Sequence, residues 1–323
     1  MPAEVNATQP KLHFIHGLDN NNVGDWLASP LAYFADYFIG RYNVVYHNIV
    51  LIKWNEIATR DAIIIGGGGL LENSTELQER INRLLDVCDC VIGWGVGFHR
   101  RGQAPVLPEI DYSRFTLLAV RDYGHPAGLE YLPCVTCLLP QLRKKRERKR
   151  EIGIINHTAF AINGTGLDTI DNSVGIDEMT EFIAESSAIL TTSYHAAYWA
   201  LLMGKKVIVA LPWANKFEYF ERKPVILSEL SAQNFAGAIA AARSYDGWLD
   251  ECVARNLEFF DRVKKTLENY IPVNFRAGTI VNLLRNQEWA STVQHMRINE
   301  LAEQVRVLSD KIEQRLERLE KCK

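Results

Sequence analysis

Apolar residues fall along this chain in short strand-length runs, separated by stretches where they recur every three or four positions. Lys11–His16 (K-L-H-F-I-H) reads as a strand that breaks at G-L-D-N-N-N-V-G-D, and a helical pattern follows over residues 26–39. Residues 43–47 form a second predicted strand. Residues 61–65 form a third, fully apolar, that runs into four consecutive glycines at 66–69. A helix is predicted over 74–85, then a strand over 90–94, a glycine-rich turn, and a strand over 115–120 ending at Arg121-Asp122. Strands buried on both faces and separated by helices predict a parallel sheet in an α/β unit.

The alternation restarts in the second half. Residues 151–156 read as a strand and 175–185 as a helix, with Asp177, Glu178 and Glu181 in its early turns, where the helix dipole favours negative charge. Residues 189–211 (I-L-T-T-S-Y-H-A-A-Y-W-A-L-L-M-G-K-K-V-I-V-A-L) read as strand, tight turn, helix, glycine stop, strand. An Ala-rich helix is predicted over 232–245, and helical sequence over Trp248–Tyr270 and beyond Arg276. The predicted organisation is a loose tail (1–10), an α/β domain (11–142), a basic linker (143–150), a second α/β domain (151–286) and a helical tail (287–323). Two such domains facing each other place ligands in the cleft at the strand C-termini. In the tail, Ile298, Leu301, Val305, Leu308, Ile312 and Leu319 keep the spacing of about three heptads, with Arg315 at one seam position. A helix of this kind either forms a coiled coil, making the chain a homo-oligomer, or docks on the body. Membrane-surface attachment ranks third, because the face carries no Trp or Phe.

Composition narrows the class. The 323 residues give room for two cores, and 47% hydrophobic with 23% charged residues is ordinary for a soluble globular protein. A net charge of −3 provides no global field for nucleic acid. No apolar run reaches the roughly 20 residues of a bilayer span, and the first ten residues lack a signal-peptide pattern. A cytoplasmic enzyme is expected. Six cysteines are too sparse for a disulfide scaffold. Cys134-x-x-Cys137 lies in L-P-C-V-T-C-L-L-P without a second Cys/His pair, which favours structural thiols over a redox or metal role. Seven of the eight residues 143–150 (R-K-K-R-E-R-K-R) are basic, and a solvated linker or a basic face near an anionic ligand is favoured over a nucleic-acid patch.

The candidate chemistry sits just past the strand ends. In the first domain these positions hold Asn22, Gly24 and Asp25, the glycines Gly66, Gly67, Gly68 and Gly69, Gly95 and Gly97, and Arg121. In the second they hold Ser193, Tyr194 and His195, then Asn215 and Lys216. Ser193–His195 opens a helix, whose unpaired N–H groups and partial positive charge suit an anion. His195 and Lys216 rise from one sheet edge if their strands are neighbours, and with Arg121 they would frame a small anionic substrate. Blander readings stand beside these. A lone His at a helix start is more often structural, and Arg121-Asp122 read alone is a surface ion pair worth under roughly 1 kcal/mol. The four glycines can serve close helix packing. They are neither a phosphate-binding Walker loop nor a dinucleotide fingerprint. His99, His125 and His157 lack metal-site spacing, and no metal is predicted.

Taken together, N-N-V-G-D at 21–25, G-G-G-G at 66–69, G-W-G-V-G at 93–97, V-R-D at 120–122 and S-Y-H-A-A-Y-W-A-L-L-M-G-K-K-V-I at 193–208 resemble the polysaccharide pyruvyl transferase family. The resemblance runs over about residues 13–220 and more weakly to about 285. The chain departs from the family where it carries P-C-V-T-C-L-L-P, since many members have Asp-Pro after the Arg-Asp segment. The resemblance implies two Rossmann-like domains arranged as in GT-B glycosyltransferases. It also implies transfer of pyruvate from phosphoenolpyruvate onto two hydroxyls of a sugar as a cyclic ketal, with no cofactor. The family's functional arginine, histidine and lysine fall on Arg121, His195 and Lys216. His195 is expected as the acid/base, since imidazole titrates nearest neutrality. Arg121 is expected to grip carboxylate or phosphate, and Lys216 to neutralise the departing phosphate. Asn215 and Ser193–His195 are expected on the donor side. Asn22, Gly24, Asp25, Gly67, Gly68 and Gly69 are expected on the acceptor side, with a lipid-linked acceptor placing the enzyme at the inner membrane face. The rival readings are a nucleotide-sugar glycosyltransferase and a non-catalytic scaffold of glycan assembly.

Overall fold

A computed structural model describes residues 10–18, 22–102 and 107–272. The expected N-terminal tail, apart from its last residue, and the heptad helix over 287–323 lie outside the described residues. Within the described residues the chain is mixed α/β, built on two parallel sheets.

The first sheet contains β1 (Lys11–His16), β2 (Asn43–Asn48), β3 (Ala62–Ile65), β4 (Gly69–Leu71), β5 (Cys90–Phe98) and β6 (Leu117–Val120). Its order is β2-β1-β3-β5-β4, with β6 paired to β5, and every pairing is parallel. The second contains β7 (Arg150–Asn156), β8 (Thr169–Asp171), β9 (Ser186–Thr191), β10 (Lys206–Ala210) and β11 (Val225–Leu227), in the all-parallel order β11-β10-β9-β7-β8. β9 and β10 are neighbours, so the segments that follow them leave the same edge. The helices are α1 (Val23–Leu27), α2 (Leu31–Ile39), α3 (Thr75–Val87), α4 (Ile176–Ala184), α5 (Tyr194–Leu202), α6 (Ala232–Ala241) and α7 (Trp248–Tyr270).

Several boundaries differ from the sequence reading for identifiable reasons. The helical pattern over 26–39 is two helices. Pro30, which cannot donate a backbone hydrogen bond, stands at the N-cap of α2, and α1 starts earlier because the Asn22 side chain accepts from Gly24 N. The strand predicted to stop at residue 94 continues to Phe98, taking in the glycine-rich segment. Gly95, with φ of 59°, marks the register shift of a bulge between Trp94 and Val96. A Cβ on Gly93 would lie 2.3 Å from Leu118 Cδ1, and one on Gly97 would lie 2.2 Å from Arg121 Nε. The alternation there is therefore broken by close packing, not by a turn. β4, β8 and β11 have three residues each, too short to show a period.

α5 is buried along all nine residues. An apolar run without a polar face belongs inside a core, and α5 packs among Met179, Ile183, Val207 and Trp248. α7 returns to the first sheet, where Phe259, Val263 and Leu267 pack with Phe14, Phe38 and Trp94. Asn256 is fully buried in the same helix; its Oδ1 accepts from Trp94 Nε1 at 3.0 Å and its Nδ2 donates to Pro133 O at 3.0 Å. The basic run is exposed and paired with carboxylates: Arg143 with Asp250, Lys144 with Asp177, Arg146 with Glu181 and Lys149 with Glu185. No helix among the described residues is long and apolar enough to cross a membrane.

Candidate active site

The C-terminal ends of strands from both sheets converge on one cavity of about 260 Å³. Of the twelve residues expected to handle donor or acceptor, nine line it: Asn22, Asp25, Gly68, Gly69, Arg121, Ser193, Tyr194, His195 and Lys216. The other three stand behind the wall. Gly24 is packed under His195, and a Cβ there would lie 2.1 Å from His195 Nδ1. Gly67 donates its N–H to Ala28 O and has no room beyond it. Asn215 clamps a loop, since Arg100 N donates to its Oδ1 at 2.8 Å and its own N donates to Arg100 O.

Arg121 is the least ordinary of these residues. It is buried, and its Nε and Nη1 have no hydrogen-bond partner among the described residues. Its guanidinium carbon lies 4.0 Å from the centre of the Tyr194 ring. Asp122 is buried as well, with Oδ2 accepting from Phe98 N and Oδ1 unpartnered, so the two do not form an exposed surface pair. Burial raises the Asp122 carboxyl to about 7. A buried charge lacking its hydrogen bonds costs several kcal/mol, and such a residue persists where a ligand supplies what is missing.

Aromatic plates hold the cations in place. Lys216 Nζ lies 4.1 Å from the centre of Trp213 and 6.0 Å from that of Tyr194, and Arg101 lies 4.8 Å over Trp213. The rings of His99 and His157 each stand 5.0 Å from Trp213. Among the described residues Asp25 is the one carboxylate lining the cavity, against Arg101, Arg121 and Lys216. Its Oδ1 is 3.9 Å from His195 Nδ1, too long for a direct hydrogen bond, and Asn22 Nδ2 donates to its Oδ2 at 2.9 Å.

This environment changes which group titrates near neutrality. Burial, then Arg121 and Lys216, push His195 well below its ordinary value, so the imidazole is neutral in the free protein. Burial and then Arg121 lower Lys216 from its usual alkaline range to about 7. Lys216 and Asp122, not His195, are thus poised near neutrality. His99 falls to about 2 through burial and the same cations, and its Nε2 accepts from Arg101 Nε at 3.0 Å.

His99, Arg101, His157 and Trp213 line the cavity without having been picked out as ligand residues from the sequence. The signal for His99 and Arg101 was position after a strand end, hidden because β5 was read four residues too short. Trp213 sits between the β10 end and Lys216, in a loop that opens with Leu211 at φ of 49°, a conformation costly for a branched apolar residue. Cys134 and Cys137 are free, buried thiols. Cys134 Sγ lies 3.9 Å from His195 Nε2, while Cys137 Sγ accepts from Asn256 Nδ2. No cluster of three or more His, Cys, Asp or Glu side chains among the described residues could hold a metal ion.

A family model described as polysaccharide pyruvyl transferase matches residues 20–215. No curated protein sequence matches the chain. Two solved structures show similarity to the chain. One is an uncharacterised protein from Klebsiella pneumoniae subsp. pneumoniae NTUH-K2044, 15% identical, with a TM-score of 0.43, covering 68% of this chain and 94% of its own. The other is AviGT4, a glycosyltransferase involved in avilamycin A biosynthesis, 10% identical, with a TM-score of 0.37, covering 80% of this chain and 97% of its own. Both scores are too low to bear on function.

Proposed function

Because the chain belongs to the polysaccharide pyruvyl transferase family, we propose that the cavity binds phosphoenolpyruvate and that the enzyme transfers its pyruvyl unit to two hydroxyls of a sugar as a cyclic ketal. The observation that carries this reading is Arg121, buried at the cavity with two guanidinium donors unpartnered, beside Lys216. A planar donor with free N–H groups matches a carboxylate or phosphate edge. The donor substrate carries both groups, and the cavity's surplus of cations suits that charge. In this reading the ends of the first sheet around Asn22 and Asp25 face the sugar, and the second sheet presents Lys216 and the α5 start to the donor, in a two-domain cleft of GT-B type.

The chemistry follows from the positions. The donor's methylene carbon takes a proton from the Lys216 ammonium, which is a stronger acid here than an exposed lysine. C2 becomes electrophilic, and a sugar hydroxyl adds to it while Asp25 accepts the hydroxyl proton. The bond from C2 to the phosphate oxygen then breaks, a second hydroxyl closes the ketal, its proton leaves with phosphate, and the proton held by Asp25 returns to Lys216. Arg121 holds the negative charge through both steps, and neutral His195 donates a hydrogen bond.

The test exploits the depressed pKa. Lys216, at about 7, is mostly neutral at about pH 8 and must gain a proton when a trianion arrives. Calorimetric titration of phosphoenolpyruvate in buffers of different ionisation enthalpy should show uptake approaching one proton at about pH 8. Lys216→Met should remove that uptake, and affinity in the native protein should fall as pH rises through and above about 7. Nucleotide sugars that bind while phosphoenolpyruvate gives no heat would replace this reading with the glycosyltransferase one.

A further inference from the structure

The buried groups behind His195 form a chain with a direction. Trp199 Nε1 can only donate, and it donates to Thr136 Oγ1 at 3.0 Å. Thr136, its oxygen so engaged, turns its own hydrogen to Cys134 Sγ at 3.3 Å. The thiol hydrogen then has His195 Nε2 as its neighbour at 3.9 Å, within the reach of a weak sulfur bond. The thiol cannot drift, because Tyr198 Oη donates to the Cys134 carbonyl at 3.0 Å and Asn256 Nδ2 donates to the preceding Pro133 carbonyl. Trp199, Thr136 and Cys134 are all buried, so no water competes for these bonds.

We propose that the Trp199–Thr136–Cys134 chain fixes the tautomer of His195, with Nε2 as acceptor from the thiol and the hydrogen on Nδ1, directed to the Asp25 side of the cavity. Cys134 is then a positioning residue. Without the thiol donor an imidazole interconverts between tautomers, and a fraction of molecules presents a lone pair where the substrate needs a donor. With it, Nδ1–H is offered to a substrate oxygen lying between His195 and Asp25. That last step rests on the reading of the cavity as a phosphoenolpyruvate site, whereas the tautomer itself does not.

The experiment separates the two. The full chain, with nitrogen-labelled histidine, is studied without substrate by long-range proton–nitrogen correlation, the His195 ring being assigned by difference from His195→Gln. The expected spectrum has Nδ1 protonated and Nε2 bare. Cys134→Ser, which keeps a donor, should retain that pattern and most of the turnover. Cys134→Ala should give a mixture of tautomers and a loss of roughly three- to tenfold in turnover, the scale of one net hydrogen bond. Thr136→Val, nearly isosteric, should also give a mixture, because the thiol is freed to accept from Nε2–H; it keeps the test available if Cys134→Ala does not fold. A native spectrum with the hydrogen on Nε2, or a pattern unchanged in both Cys134→Ala and Thr136→Val, overturns the proposal. Failure to bind phosphoenolpyruvate with the predicted spectrum intact would count against the functional reading alone.

Discussion

Arg121→Met is expected to lower kcat/KM for phosphoenolpyruvate by about a thousandfold and, at the same time, to make the ligand-free protein more stable. Removing one charged partner of a desolvated anion contact costs about 2–5 kcal/mol of binding. The free protein holds the opposite balance. Its guanidinium is buried with Nε and Nη1 unpartnered, a desolvation cost that an apolar chain of similar length does not carry, and Asp122, already raised to about 7 by burial, takes up a proton once the cation is gone. The methionine can still lie against the Tyr194 ring. Arg121→Lys should recover little activity, because an ammonium cannot reproduce a planar pair of donors. Steady-state kinetics with thermal unfolding checks both halves. A loss of activity together with a loss of stability would make Arg121 a structural residue.

Gly24→Ala should reduce turnover by about a hundredfold without touching a charged group. Its Cβ would lie 2.1 Å from His195 Nδ1, and His195 is buried apart from its cavity face, with Cys134 at its other nitrogen. The imidazole or α1 must therefore move, and a shift near 1 Å at a reacting group costs about a hundredfold. Arg121 and Lys216 remain in place, so the dissociation constant for phosphoenolpyruvate should change little while kcat falls. Gly175→Ala is the control, since a Cβ there meets nothing within 4 Å. Equal effects from the two substitutions would remove the positioning argument.

The parts of the sequence that were legible are those in which one physical rule dominates. β1 was read with its observed bounds as a short apolar run, and α7 with its own because Trp248, Cys252, Asn256, Phe259, Val263 and Leu267 recur every three or four positions. Arg121, His195 and Lys216 were found by position alone, since parallel strands deliver side chains to one edge. What resisted reading depended on contacts between distant residues. Gly95 and Gly97 look like a turn and instead lie within β5, where Arg121 packs against the backbone at Gly97, and this misreading hid His99. Gly24 looked like an acceptor contact and is a floor for His195. The titration of the site was not legible, because reference values ignore burial beside two cations, which lowers His195 well below neutrality and brings Lys216 to about 7. The Cys134 contact joins residues 61 positions apart, and nothing local in the sequence announces it.

The central claim is that pyruvate leaves its phosphate by cleavage at carbon and arrives on a sugar. Phosphoenolpyruvate with heavy oxygen in the bridge between C2 and phosphorus tests this directly, incubated with the enzyme and a panel of glycans carrying paired free hydroxyls. Mass spectrometry should find the heavy oxygen wholly in the released phosphate and a ketal-linked pyruvyl unit, free of label, on an acceptor. Heavy oxygen retained in pyruvate, or phosphate appearing on the glycan, would contradict the account.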